Sequence, residues 1–482
     1  MAKDLIPIEN FNDGGLASSK WSGVKNSLYR MIGLDPHTRP GVLDVEQKLS
    51  KISSTTVTEL CKVAVACSNG SAFFFSSESG KIWEVQSTGT VRLVHTTTPS
   101  AGEAKCLGAA EYQGKLIWAT QNKLHYILIA DSADNDWSTD AHEDWQTFDV
   151  GDSDFHPMIN HTATLLLFIG DGNQVAQYDG ETDTFSSNAL DIRDPLRVKS
   201  LGSISTDLLV GTFIADSVTG VEIIRWNTWE DSFSSSDPVP EIGINAFIPA
   251  DNMVIVQAGN KGNLYYYDGL NLELFMRIPG EYSPSAYGEV NPYAVGNKDG
   301  QLLFGFSNGA GNPCPQLVYR IARHSRDYKW IMDQPYPISE RSGDDFVLSN
   351  LEIGAIVVQG STFLASWKNG SSYGIDKLDS ANKLDGAYFE TRVMIIERNM
   401  KTNISEIFLN YALLPSGTDL DMYLSRNYAA YGDALSKVAD SSSNVSTTQK
   451  EAVDFNTLQL KVKITTSSND APLLESGAIK IR

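Results

Sequence analysis

The chain has 482 residues, 41% hydrophobic and 20% charged, with 38 glycines; it is too long for one ordinary core and too apolar for a disordered chain, so two or more domains or a repeat array are expected. Its 38 basic against 59 acidic residues leave a formal charge of −21, which repels phosphate backbones and excludes a sequence-reading contact with nucleic acid, while suiting solubility or a wall past which DNA slides. Four cysteines, Cys61, Cys67, Cys106 and Cys314, form no CxxC pair and gather no histidines, so neither a disulfide framework nor a zinc site is expected.

In chain order, residues 1–55 read as an extended arm. Residues 1–7 have no apolar run suited to a signal peptide, and nowhere does the chain reach the roughly 20 apolar residues of a membrane helix. Synthesis in the cytoplasm and no membrane insertion are the expectation. The arm carries Gly14-Gly15, Trp21 and Arg39-Pro40-Gly41, and Val42-Leu43-Asp44-Val45 is placed to supply a strand that closes a ring.

Residues 56–387 repeat one grammar: an apolar strand, a Gly/Asn/Asp turn, and a strand carrying an aromatic. Met253-Val254-Ile255-Val256 followed by Leu264-Tyr265-Tyr266-Tyr267-Asp268-Gly269 is the cleanest copy. The recurring aromatics are Trp83, Tyr126, Tyr178, Trp226, Tyr267, Tyr319 and Tyr373, at steps of 41 to 54 residues. Propeller blades of four strands repeat at roughly 40–50 residues. Blades bury both faces, which accounts for strands that are apolar in runs instead of alternating. An all-β, about seven-bladed propeller is therefore expected, with the aromatics wedged between blades; the uneven steps leave six or eight blades open, and two ordinary β-sandwiches are the competing reading.

Residues 388–482 lack this grammar. Their strand candidates, at 388–394, 404–411, 421–424 and 458–464, largely alternate with period two, which predicts an antiparallel β-sandwich. Residues 440–448 are a polar excursion between strands.

Candidate chemistry is thin. The run from Asp134, Asn135 and Asp136 through Trp137 and Ser138 to Asp140 looks like a calcium loop, but Thr139 stands where the sharp turn needs Gly and Trp145 where a bidentate Glu belongs. A solvated acidic loop is expected there. His156 and His161 lack helical spacing and a third ligand, so backbone-satisfied histidines are expected. The acids Glu230 and Asp231, or Asp344 and Asp345, would make a glycosidase dyad only if the fold set them at a defined separation. Trp137, Trp145, Trp229 and Trp330 are candidates for sugar-stacking platforms or for core. No Walker loop, nucleophile elbow or dinucleotide fingerprint occurs. No catalytic, cofactor or metal site is expected, and the chain reads as a non-enzyme.

The opening Phe11-Asn12-Asp13-Gly14-Gly15-Leu16, then Asn26-Ser27-Leu28-Tyr29 and Thr38-Arg39-Pro40-Gly41-Val42, resembles the start of tailed-phage virion proteins, in which a Gly-Gly arm precedes an RPG turn and a propeller. Lys401-Thr402-Asn403-Ile404-Ser405-Glu406-Ile407, Leu414-Pro415-Ser416-Gly417-Thr418 and Ala471-Pro472-Leu473-Leu474-Glu475-Ser476 are similar to their C-terminal spans. The resemblance implies a structural tail protein of nozzle, hub or baseplate type. It implies a homo-oligomeric ring around the DNA path, other tail and connector proteins as partners, and a place in the virion. A receptor- or glycan-binding propeller at the tail tip is the alternative.

Overall fold

The computed structural model describes residues 5–52, 57–132, 137–215, 220–250, 253–280, 282, 288–308, 315–340, 351–395, 404–432, 436–439, 446–449 and 456–481. Among them the regular structure is nearly all strand; the helices are the single turns Phe11–Gly14 and Trp137–Asp140.

Four-stranded antiparallel meanders follow one another along the chain. The first runs from Cys61 to Thr96, the second from Gly108 to Thr147, the third from Met158 to Asp191 and the fourth from Arg197 to Val239. The fifth runs from Ile244 to Arg277 and the sixth from Gly288 to Tyr336. The last consists of Leu351–Gln359, Thr362–Asn369 and Ser372–Lys383, with Gln47–Lys51 as its fourth strand. Tight hairpins make such meanders, and the turns carry the required backbone: Gln113-Gly114 and Asp299-Gly300 hold positive φ at both central residues, the geometry that matches strand twist.

Each opening strand lies against the opening strand of the next sheet, and Leu351–Gln359 lies against Cys61–Ala66. The apolar clusters form between consecutive sheets. Phe73 and Phe75 pack with Leu116 and Trp118, Ile117 with Leu167 and Tyr178, and Phe168 with Leu208 and Trp226. Leu209 packs with Val256 and Tyr267, while Phe74 and Trp83 of the first sheet pack with Leu364 and Ile375 of the last. An inner sheet thus buries both faces against two different neighbours, a propeller-type arrangement and not a stack of sheet pairs. All of the recurring aromatics fall on the third strand of their sheets. Tyr126 and Tyr373 are half-buried and the others fully buried.

One buried histidine in this packing sets a pH limit. His125 stacks on Trp118 at 5.5 Å, takes the Asp144 N–H on Nδ1 at 3.0 Å, and so donates from Nε2 to Thr120 Oγ1 at 3.0 Å. Burial lowers its pKa from 6.5 to about 4. The folded state excludes a proton that the unfolded chain accepts, so this stability is intact above pH 6.5 and is lost as pH falls from 6.5 toward 4. The loss expected is roughly 3 kcal/mol. Urea titrations at pH 7.5, 5.5 and 4.5 check it: relative to the wild type, His125→Asn should show a flatter decline over that window.

The N-terminal segment departs from the expected arm. Leu5–Ile8 pairs with Leu474–Ile481, and Leu28–Ile32 pairs antiparallel with Ala387–Thr391 and, at Ile32, parallel with Gln334 of the sixth sheet. The strand alongside Ser372–Lys383 is Gln47–Lys51, whereas Asp44–Val45 turns back on Leu34–Asp35. Leu49 explains the choice: it is the buried residue of Gln47–Lys51 and pairs with Leu378.

Nor is the C-terminal region set apart from the meanders. Leu28–Ile32 bridges the sixth sheet to Ala387–Thr391, and the ladder continues through Thr457–Thr465 and Asp419–Arg426 to Ser436–Ala439. A second sheet orders Leu5–Ile8, Leu474–Ile481, Ile404–Tyr411 and Ser446–Gln449. The two share an apolar interior in which Ile407, Leu409 and Ile479 belong to one cluster with Leu420, Met422, Val462 and Ile464.

Candidate functional site

The opening strands meet at a hub, and one of them breaks its own ladder there. In Gly288–Lys298 the pairing register with Gln301–Asn308 shifts between Val290 and Val295. The freed residues include Pro292, which has no N–H to give a ladder. Tyr293, in the same bulge, reaches to the second and third sheets, where its hydroxyl accepts the N–H groups of Ala109 at 3.1 Å and Met158 at 2.9 Å. Burial pushes its phenol pKa up, so the hydroxyl stays neutral. Gly108 belongs to the same close packing: a Cβ there would lie 1.6 Å from the His156 carbonyl oxygen. Tyr293→Phe should leave two inner amides without partners at about 1–3 kcal/mol each. The check is a chemical-denaturation curve together with faster hydrogen exchange at Ala109 and Met158.

Above this plug lies a cleft of about 390 Å³. Lys62, Lys105, Lys199 and Lys368 line it together with Glu78, Asp154, Glu289 and Glu352, so its wall is charge-balanced in a chain of net charge −21. The charges pair across sheets. Lys62 meets Glu352 at 2.7 Å and Lys368 meets Glu78 at 3.2 Å, both linking the first sheet to the last. Lys199 of the fourth sheet meets Glu289 of the sixth at 3.3 Å, and Arg197 lies 2.8 Å from Asp152 and 3.7 Å from Asp154. The Glu78 hydrogen bond raises the Lys368 pKa, and burial raises that of Asp152. Half-buried Phe155 adds an aromatic ring to the wall, edge-on to Phe213 at 5.3 Å, with Lys199 Nζ 5.2 Å from its centre. Cys106 also lines the cleft, but burial pushes its thiol up to about 12 and it donates to the Gly108 carbonyl at 3.3 Å, so it is no nucleophile.

The residues singled out in the sequence lie elsewhere or serve the packing. His156 is fully buried, its two ring nitrogens 2.7 and 2.9 Å from the carbonyls of Gly170 and Gln121 and its ring stacked on Phe148 at 4.1 Å. His161 is engaged separately, by Thr164 Oγ1 at 2.9 Å and the edge of Phe168. Asp134–Asp136, Asp344, Asp345 and Cys314 lie outside the described residues. Among those described, no three His, Cys, Asp or Glu side chains gather as a metal site would require. Glu230 and Asp231 sit on an exposed turn. Trp137 is core, donating Nε1 to the Ser132 carbonyl at 3.1 Å, and Trp145 is wedged between Tyr126 and Tyr178. Trp330 is half-buried under Arg323. Trp229 alone of the four is strongly exposed, at 81%. It is held on a turn in which Asn227 Oδ1 accepts the N–H groups of Trp229 and Glu230.

No protein-family model matches the chain, and no curated protein does. Among solved structures it is similar to a streptogramin B lyase, at 11% identity over 69% of this chain and 97% of that one, with a TM-score of 0.45. The β-propeller domain of Myceliophteria thermophila Cps50 (Swd1) is 10% identical over 68% and 99%, with a TM-score of 0.45. A computationally designed protein, Ika8, is 10% identical over 68% and 99%, with a TM-score of 0.42.

Reading by local pattern misses the hub entirely. Its lysines and acids are scattered singly from Lys62 to Lys368, and only the fold brings them together. One local signal existed: Pro292 inside an otherwise strand-like run, which marks a bulge.

Proposed function

We propose that this chain is a structural subunit of a tailed-phage virion, a nozzle, hub or baseplate-type tail protein that acts by protein–protein contacts and assembles as a ring of copies around the DNA path. The architecture proposed is a seven-bladed propeller closed by Gln47–Lys51, joined to a β-sandwich built from both chain ends. The observation that carries the reading is this interweaving. One N-terminal segment supplies strands to the last meander and to both C-terminal sheets, so the two bodies are tied by continuous ladders and not by a linker. A load-bearing component needs that rigidity; a diffusing binding module does not. The charge of −21 suits a surface past which DNA slides, because each phosphate contact would retard it. Tyr293 crosses the chain's own hub from the sixth sheet to the second and third, so in this reading the DNA passes through the lumen of the assembled ring. Mass spectrometry of purified virions with cryo-EM of the particle tests it. The protein should appear in stoichiometric copies around the tail axis, and its absence from virions would overturn the role.

A second reading, receptor or glycan binding at the tail tip, is favoured by Trp229, an exposed ring on a turn pinned by Asn227. Trp229→Ala should then abolish attachment to host cells while leaving assembly intact.

A further inference from the structure

We infer that the hub cleft is a binding site for a neutral, polyhydroxylated ligand, a saccharide of one to three residues. This goes beyond the structural role proposed above and stands or falls separately from it.

The inference rests on the geometry of the wall. A pocket that attracts an ion offers it uncompensated charge of the opposite sign. Here the charged groups of the wall are matched in number, and Lys62–Glu352, Lys368–Glu78 and Lys199–Glu289 already neutralise one another at 2.7 to 3.3 Å. What the pairs still present is hydrogen-bonding capacity of both kinds: an ammonium has three donors and a carboxylate about four acceptor sites, more than one ion pair uses. A neutral ligand that satisfies both must donate and accept, and a hydroxyl does both from one atom, so a sugar's several hydroxyls do it at several points of the wall. Sugars add a second requirement, an apolar ring face, which aromatic side chains meet. Phe155 supplies such a ring within the cleft. The volume of about 390 Å³ falls at the small end of ligand pockets, roughly 300–1,000 Å³, which limits the occupant to a short saccharide. Tyr293 lines the cleft, its hydroxyl held by the Ala109 and Met158 N–H groups.

The test is titration calorimetry of the full chain against neutral mono-, di- and trisaccharides, with free lysine, free glutamate and sialic acid as charged comparators. At least one neutral sugar should saturate, with an affinity nearly unchanged between about 50 and about 500 mM salt, since no net charge is neutralised. Phe155→Ala should weaken it at least tenfold, and Lys368→Met, which removes one half-exposed ion pair and leaves the packing intact, should weaken it severalfold. Trp229→Ala should leave it unchanged. No saturable binding, tighter binding of a charged comparator, or binding that survives Phe155→Ala and Lys368→Met but is lost in Trp229→Ala would each overturn the inference. None of these outcomes bears on whether the protein is found in virions.

Discussion

Replacing Arg320 with methionine is expected to cost about 3–5 kcal/mol of folding free energy. The guanidinium is 1% exposed and stands at the junction of three segments. Its Nε and Nη2 grip Asp333 at 2.6 to 3.2 Å, Nη2 also meets Asp35 at 3.0 Å, and Nη1 reaches Glu46 at 2.8 Å and Gln301 at 3.3 Å. Methionine matches the stem but abandons three carboxylates in a dry environment, and it is this uncompensated charge that sets the size of the loss. The deficit should depend on pH in a defined direction. Burial acts to raise Asp35, but Arg320 outweighs it and holds the carboxyl below its ordinary range; burial holds Glu46 above its own. In the wild type the Asp35 contribution is present above the ordinary carboxylate range and is lost as pH falls, while the Glu46 contribution runs the opposite way and is lost as pH rises. Without the guanidinium, burial leaves Asp35 and Glu46 favouring the protonated form, so the gap between variant and wild type should narrow as pH falls from 7 to 4. Urea unfolding at the two pH values measures it; a gap that widens in acid would refute the account.

Deleting residues 1–52 should abolish folding of the remainder altogether. The deletion removes the fourth strand of the last meander, an edge strand of one C-terminal sheet and a central strand of the other. It also removes the buried side chains Phe11, Met31, Ile32, Leu34, Leu43 and Leu49, together with Asp35 and Glu46 of the Arg320 cluster. At about 1.5–3 kcal/mol for each large apolar side chain, the loss matches or exceeds the 5–15 kcal/mol net stability of an ordinary domain. The exposed ladder edges would then template aggregation. Fragment 53–482 expressed alone should be insoluble, and co-expression with fragment 1–52 should restore soluble protein with a native near-UV circular dichroism spectrum. Soluble, cooperatively folding 53–482 would show that the N-terminal strands are ornaments on a self-sufficient body.

Part of this architecture was legible without coordinates. The aromatics from Trp83 to Tyr373 mark the third strand of every meander, because a bulky ring between apolar neighbours is a local feature with a regular spacing. The opening strands were harder to read. Gly108-Ala109-Ala110-Glu111-Tyr112 and Arg197–Ile204 are small or polar where strands crowd together at the hub, so they lack the apolar signature of a buried strand. Val42–Val45, the more apolar stretch, is the stronger local candidate for the closing strand, whereas the fold uses Gln47–Lys51, whose single buried side chain, Leu49, suffices for a strand covered on one side. Arg320 stood in plain view inside Leu317-Val318-Tyr319-Arg320-Ile321, a charge where an apolar residue belongs, yet nothing near it in sequence named its partners.

What the sequence determined by itself is therefore what neighbouring residues decide among themselves: all-β character from apolar runs, turns from glycines that accept positive φ, and repetition from evenly spaced rings. Tertiary structure alone decided which distant groups meet. Glu46 finds Arg320 across 274 residues, Tyr293 finds Ala109 across 184, and the hub charges pair between sheets. The reason is physical. Strand and turn preferences act over a few residues, whereas the placement of a buried charge or a plugging side chain is set by the closure of sheets whose order in space only the folded chain provides.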